Sequence, residues 1–300
     1  MDGYKKVLSN KNLRLSILNF FGFIPDKPMI RLLYRIKTGE RLNLKSPETY
    51  TEKLQWLKLN DRRPEYSDMV DKLKMKDYVA KKVGGSYTVP VLGVWDSAGD
   101  IDFDSLPDGF TIKCNHDSGS IRICRDKSSF DAEGARKSLA AALKRDCSSF
   151  GREWPYRGVE RKIFAEELLH SDSPDGALTD YKFFCFDGKP LVMYISDDRG
   201  DDPHTDFFDA GFNPLPMRMR DPSSPVPPEK PAKFEEMKAI AAALSEGIPH
   251  LRVDFYCIGD RLYVGELTFY PNSGFTKIQP DEWNRRMGGF IDLSAVKRQH

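Results

Sequence analysis

Three things are scarce in this 300-residue sequence: cysteine, net charge and long apolar runs. The five cysteines, Cys114, Cys124, Cys147, Cys185 and Cys257, are scattered and odd in number, and no two form a CxxC pair. That pattern argues against a disulfide framework or a zinc site and fits a reducing, cytoplasmic compartment. Lys and Arg total 46 against 45 Asp and Glu, a formal net charge of +1, so nothing calls for a nucleic-acid partner. Aromatic residues make up 12%, too rich for a disordered chain. No window reaches the length of a membrane span. The nearest, Leu13 to Ile24, contains Arg14, Ser16 and Asn19 and runs into Pro25-Asp26-Lys27-Pro28 instead of a small-residue cleavage site. It reads as a core-facing helix, with contact at a membrane surface as the alternative.

The length suits two or three lobes rather than one core. Residues 1–60 read as helical and basic, with Arg31, Arg35, Lys37, Arg41 and Lys45 ahead of Pro47. A helix is predicted from Tyr66 to Val83, stopped by Gly84-Gly85. Short strands are predicted at Val89–Trp95, Phe110–His116 and Ile121–Cys124, an Ala-rich helix over 130–146, and a strand at Lys162–Leu169. A hairpin follows around Asp187-Gly188-Lys189-Pro190, then a proline-dense excursion over 213–231. A helix at Phe234–Leu244 and a hairpin at Leu251–Phe269 complete the chain. Helices and strands mix without strict alternation, which is an α+β pattern. We place a helical and α/β lobe in 1–110, a central subdomain in 111–165 and a C-terminal subdomain in 166–300.

The last hairpin holds the chemistry. Alternation in "LRVDFY" sets Arg252, Asp254 and Tyr256 on one face, and in "GELTFY" it sets Glu266 with Thr268. A two-residue turn at Gly259-Asp260 pairs Asp254 with Gly265, whereas a three-residue loop ending at Arg261 sets Asp254 opposite Glu266. Facing carboxylates repel unless a cation lies between them, and oxygen-only ligands suit Mg²⁺. Taken alone, the pair reads as solvent-facing acids beside Arg252 and Arg261. In "FTIKCNHDSGS", Lys113 ends a strand before a small polar loop whose backbone N–H groups suit phosphate oxygens. Taken alone, that too is an ordinary turn. "FAEELL" puts Glu166 and Glu167 at a strand end, and "DYKFFCF" puts Lys182 among aromatics, with Asp180 as its plain partner.

The order of these segments, with "VDKLKMK", "YTEKLQWLKLND", "PVLGVW", "REWPY" and "GELTFYPNSGF", resembles the ATP-grasp superfamily. More closely it resembles the TupA-like (teichuronopeptide biosynthesis) proteins of bacterial polysaccharide gene clusters, from about residue 30 onward. The resemblance implies an ATP-grasp fold with the nucleotide between two α+β lobes and a helical N-terminal region. Lys72 and Lys113 would hold ATP phosphates, with Ser118, Gly119 and Ser120 closing over them. Glu166, Glu167 and Leu168 would line the adenine and ribose pocket, and Lys182 would approach the transferring phosphate. Asp254, Glu266 and Thr268 would bind Mg²⁺, with Arg252 facing the developing charge. Thr268 stands where many ATP-grasp ligases have asparagine, which leaves Asn272 as the other candidate to complete the metal site. Asn272, Ser273 and Gly274 would face the acceptor, and Arg199 would bind an anionic sugar. The implied reaction is ATP-dependent ligation of a carboxylate to an amine through an acyl phosphate, on a uronic acid in capsular or cell-wall polysaccharide synthesis. The alternatives are an ATP-grasp phosphotransferase acting on a sugar hydroxyl, a glycosyltransferase using Asp197, Asp198, Asp201 or Asp202, and a non-catalytic binding module.

Overall fold

Apolar alternation and turn residues build two antiparallel sheets. In the computed structural model, residues 21–171, 178–197, 203–294 and 296 are described. Most of the Leu13–Ile24 segment lies outside these residues, as do Asp198, Arg199, Asp201 and Asp202. Among the described residues no helix is long and apolar enough to cross a membrane.

Helix α1 (Asp26–Thr38) buries Met29, Ile30, Leu33 and Tyr34 and packs against Phe275. Helix α2 (Tyr50–Asn60) starts at a capping box: the Thr49 hydroxyl accepts from the Glu52 N–H while Glu52 accepts from the Thr49 N–H. The helix expected over 66–83 is two, α3 (Glu65–Val70) and α4 (Lys74–Lys82). They part at Asp71, whose carboxylate accepts from the N–H groups of Leu73 and Lys74. The Lys72 N–H bonds the Asn115 carbonyl instead of continuing a helix. A distant loop therefore sets the direction of Lys72.

Strands β1 (Val91–Trp95), β2 (Phe110–Cys114), β3 (Arg122–Cys124) and β4 (Ile163–Glu167) form a sheet in the order β1-β4-β2-β3. Its core is shared with helix α5 (Ala132–Leu143), and a single turn, α6 (Ser148–Gly151), precedes "REWPY". Because β1 and β4 pair, this sheet draws on residues 91–167, and the divisions expected after 110 and 165 both fall inside it. The second sheet has the order β7-β6-β5-β8-β9, from β5 (Asp180–Phe186), β6 (Lys189–Asp197), β7 (His204–Asp209), β8 (Leu251–Ile258) and β9 (Arg261–Thr268). Helix α7 (Phe234–Ser245) covers β5, β6 and β8, and α8 (Asp281–Phe290) packs on α2. Strand β7, just after the acidic run, is not among the strands predicted from the sequence. Core residues Leu251, Val253 and Phe255 are fully buried toward α7, so the alternate positions of β8 face the first sheet's side of the molecule.

Candidate active site

The β8–β9 hairpin reaches the pairing of Asp254 with Glu266 by an unexpected route. The turn is two residues long, with Ile258 opposite Arg261, which would carry Asp254 to Gly265. A bulge between Phe255 and Asp254 adds one residue on β9 and moves Asp254 onto Glu266. Gly265 makes this fit: a Cβ there would lie 2.6 Å from the Tyr256 ring.

Asp254 sits in a cage of cations. Arg252 donates from Nε and Nη2, each at 2.7 Å, to its two oxygens, and Lys182 Nζ donates at 2.9 Å. Burial alone would raise the pKa of Asp254, but Arg252 and Lys182 outweigh it and hold the carboxyl below its usual range. Burial likewise opposes the charge on Lys182, and Asp254 and then Asp180, 3.1 Å away, overcome it, so the ammonium is held above its ordinary pKa. Glu266 is more open. Its Oε1 lies 3.3 Å from Lys72 Nζ and its Oε2 lies 3.9 Å from Arg252, which also donates to the Thr268 hydroxyl at 3.2 Å.

A second cation group faces the first from the four-stranded sheet. Lys113 on β2 and Lys76 on α4 both pair with Glu166 on β4, Lys76 at 3.0 Å. Burial raises the pKa of Glu166, yet the two lysines win and keep it below the ordinary carboxylate value. For Lys76 burial is the larger effect and lowers the pKa despite Glu166. Lys72 lies between the two groups, in the wall shared with each, and donates to the Asp117 carbonyl at 2.9 Å while pairing with Glu266.

Two compartments meet at Lys72. The first, about 380 Å³, is a slot walled by Met75, Val89, Ile121, Ile123, Leu168 and Val264, with Lys76, Lys113 and Glu166 at one side. Its apolar faces suit a flat heterocycle, and its lysines suit phosphate oxygens. The second, about 420 Å³, is polar, with His116, Asp117, Arg145, Tyr156, Arg252, Glu266 and the Asn272-Ser273 loop in its wall. His116 is 2% exposed; its Nδ1 has no partner among the described residues, its Nε2 lies 3.3 Å from the Arg145 carbonyl, and burial lowers its pKa.

Of the residues singled out from sequence, Lys72, Lys113, Glu166, Glu167 and Leu168 line the first compartment. Lys72, Ser118, Arg252, Glu266, Thr268, Asn272 and Ser273 line the second. Lys182 lies behind Asp254. Ser118 and Gly119 form an exposed loop tip, Gly119 at φ +96°. Ser120 is buried and committed to the fold, accepting from the Cys114 N–H and donating to Asp117. Gly274 is buried too, its carbonyl taken by Gln55 at 2.8 Å. Arg199 is among the residues not described.

Sequence reasoning missed Lys76, Glu153, Lys58 and Arg145. Lys76 was legible, since it stands four residues after Lys72. Lys58 and Glu153 lie within "YTEKLQWLKLND" and "REWPY", segments that carried resemblance but no role. Their meaning needs the contact of α2 with the 271–274 turn.

A model of the TupA-like ATP-grasp family matches residues 52–292. No curated protein matches. Among solved structures, D-alanine–D-alanine ligase from Bacillus anthracis complexed with ATP is 18% identical over 73% of this chain and 58% of its own, with a TM-score of 0.38. The corresponding ligase from Helicobacter pylori is 12% identical over 82% and 67%, with a TM-score of 0.45. ATP-grasp ligase PsnB complexed with minimal precursor is 11% identical over 69% and 54%, with a TM-score of 0.38. The chain thus spans little more than half the length of PsnB and the Bacillus anthracis ligase. The family match covers helix α2 from its third residue, both sheets and every lining residue of the two compartments, and by it the chain belongs to the TupA-like ATP-grasp family.

Proposed function

We propose that the protein is an ATP-dependent carboxylate–amine ligase working through an acyl phosphate. The observation that carries this reading is the meeting of an apolar slot and a polar chamber at Lys72, with Lys76 and Lys113 on one side and Arg252 and Lys182 on the other. ATP then places its base between Ile123, Leu168 and Val264 and its phosphates along the lysines toward Glu266. A carboxylate oxygen in the chamber attacks the γ-phosphorus as the β–γ bridging P–O bond breaks and ADP leaves. The amine nitrogen then attacks the acyl carbon, the C–O bond to the phosphoryl group breaks, and phosphate leaves with that electron pair. Arg252 and Lys72 neutralise the phosphoryl oxygens throughout, with Lys182 behind Asp254 adding positive charge at longer range.

Charge supports a divalent cation in the reading. Without ligand, Lys72, Lys182 and Arg252 are already matched by Glu266, Asp180 and Asp254. Lys76 and Lys113 share the single carboxylate of Glu166, so a triphosphate enters a cluster whose one spare positive charge cannot match its own negative charge. Among the described residues no three His, Cys, Asp or Glu side chains are placed to hold a metal alone, which fits Mg²⁺ shared between protein and phosphate oxygens. Glu266, with Thr268 or Asn272, would hold it on the open side; Asp254 enters as the counter-charge behind, both its oxygens being engaged. When bound, Mg²⁺ supplies charge compensation for the phosphoryl group in transit.

For the acceptor we propose a uronic-acid carboxylate of a bacterial capsular or cell-wall polysaccharide precursor, ligated in the cytoplasm to an amino acid or amine. Family membership and the many hydrogen-bonding side chains of the chamber support a polyhydroxylated carboxylate. The test is incubation with Mg-ATP, hydroxylamine and a panel of uronic and amino acids. Hydroxamate equal to released phosphate, both lost in Glu266→Gln, is the expected result. A phosphorylated sugar without phosphate release would replace the ligase with a kinase.

A further inference from the structure

The chamber holds one carboxylate that its own walls do not balance. Asp117 is paired with Arg145 at 3.2 Å and Glu266 with Lys72 at 3.3 Å. Glu153, the third acid in the wall, has no Lys, Arg or His nitrogen at ion-pair distance among the described residues. Its single side-chain hydrogen bond comes from the Ser273 hydroxyl to Oε1 at 2.6 Å, which leaves Oε2 without a donor. The strongest cationic influence on Glu153 is Lys58, beyond ion-pair distance, whose ammonium donates to the carbonyls of Gly151 and Ser273, both at 2.7 Å. Burial also lowers the pKa of Lys58, with Glu153 opposing.

The surroundings fix Glu153 rather than satisfy it. Asn272 and Ser273 adopt left-handed backbone, at φ 50° and 55°, a conformation that costs non-glycine residues of order 1–3 kcal/mol each. Gln55, Lys58 and Glu153 together hold that turn, and Gly151 approaches so closely that a Cβ would lie 2.2 Å from the Ser273 hydroxyl oxygen. The charged and phenolic groups around Glu153 are Lys58 from α2, Lys37 from α1, Glu266 from β9, Tyr156 and Tyr270. Burial is the strongest influence on it and raises its pKa, with Lys58 and the Ser273 hydroxyl opposing. The result is a positioned carboxylate of raised basicity with one oxygen open to the chamber.

We propose that Glu153 binds the ammonium group of the amine substrate and takes the proton that makes it a nucleophile. This rests on the ligase reading. The ammonium donates to Oε2 and passes one proton to it; the freed lone pair forms the C–N bond as the C–O bond to the phosphoryl group breaks. The remaining surplus proton on nitrogen leaves with the phosphate, and Glu153 returns its own to solvent. The chamber then divides its labour, with Lys72, Arg145 and Arg252 for anionic groups and Glu153 for the ammonium.

The test uses the full chain saturated with Mg-ADP and titrated calorimetrically with methylammonium chloride, L-alanine, L-lysine and L-glutamate. At least one is expected to bind, and Glu153→Gln should weaken it by about tenfold or more, the size of one charged hydrogen bond. Glutamine still accepts from Ser273, so a purely structural Glu153 predicts unchanged affinity, and ADP affinity is the internal control. Should the amide variant not fold, Glu153→Asp serves in its place, since it draws the charge back by one methylene. Binding of no ammonium by the wild type, or equal binding by wild type and variant, overturns the proposal. Hydroxylamine is uncharged at neutral pH, so hydroxamate formation tests the ligase reading independently. Hydroxamate made by a wild type whose ammonium affinity ignores Glu153 keeps the ligase and loses this inference.

Discussion

Replacing Asp254 with asparagine removes the counter-charge of two cations while keeping the shape of the side chain. Asp254 is 2% exposed and receives three donors at 2.7, 2.7 and 2.9 Å. Asparagine offers one acceptor oxygen and turns an NH₂ group toward a guanidinium or ammonium, leaving Arg252 and Lys182 nearly buried with Asp180 as the remaining acid beside Lys182. Breaking such a pair by removing one partner costs about 3–5 kcal/mol. Unfolding entropy is about 2.1 cal/mol/K per residue near 60 °C, or roughly 0.6 kcal/mol/K for a chain of this length, so Tm falls by about 5–8 °C. Differential scanning calorimetry of the two proteins without nucleotide measures it. The comparison is Glu266→Gln, whose carboxylate is 29% exposed and only 3.3 Å from Lys72. Its stability change stays within about 1 kcal/mol, while Mg-ATP turnover falls by about 100-fold or more. If Asp254→Asn melts within about 1 °C of wild type, the counter-charge role is wrong and Asp254 is left to act as a metal ligand alone.

Other expectations follow from the same geometry. Lys76→Met removes one charged contact to phosphate and should weaken Mg-ATP binding by about tenfold in a fluorescent-nucleotide displacement assay; unchanged affinity would remove Lys76 from the nucleotide site. Gly265→Ala drives a methyl into the Tyr256 ring at the edge of the slot, costing about 1–3 kcal/mol and raising KM for ATP; a fully stable variant with normal KM would contradict the bulge. His250 is buried between the Tyr50 hydroxyl and the Phe269 carbonyl, and burial pushes its pKa down from 6.5 to about 3. The unfolded chain therefore binds this proton first, so stability is lost as pH falls from 6.5 toward 3, by up to about 5 kcal/mol at 1.36 kcal/mol per unit. His250→Gln should flatten that part of a urea-midpoint profile, and an unaltered slope would show that His250 is protonated in the fold.

What the sequence determined by itself is local and periodic. Alternation in a strand has a period of two whatever lies around it, so Arg252 and Asp254 on one face, and Glu266 with Thr268, could be read from "LRVDFY" and "GELT" directly. The place of the turn at Gly259-Asp260 is equally local, although its length stayed open between two and three residues, and the order of the motifs was enough for the family resemblance. The register of the hairpin was not legible, because the bulge at Gly265 depends on a ring from the neighbouring strand. Nor was the break between α3 and α4, since helix propensity in "MVDKLKMK" is overridden by the bond from the Lys72 N–H to Asn115. Glu153 and Lys58 acquired meaning only when α2, the "REWPY" turn and the 271–274 turn met, because whether a carboxylate is paired depends on partners over a hundred residues away in sequence. Spacing along the chain fixes which face a side chain takes; only packing between distant segments fixes which charges remain unmatched.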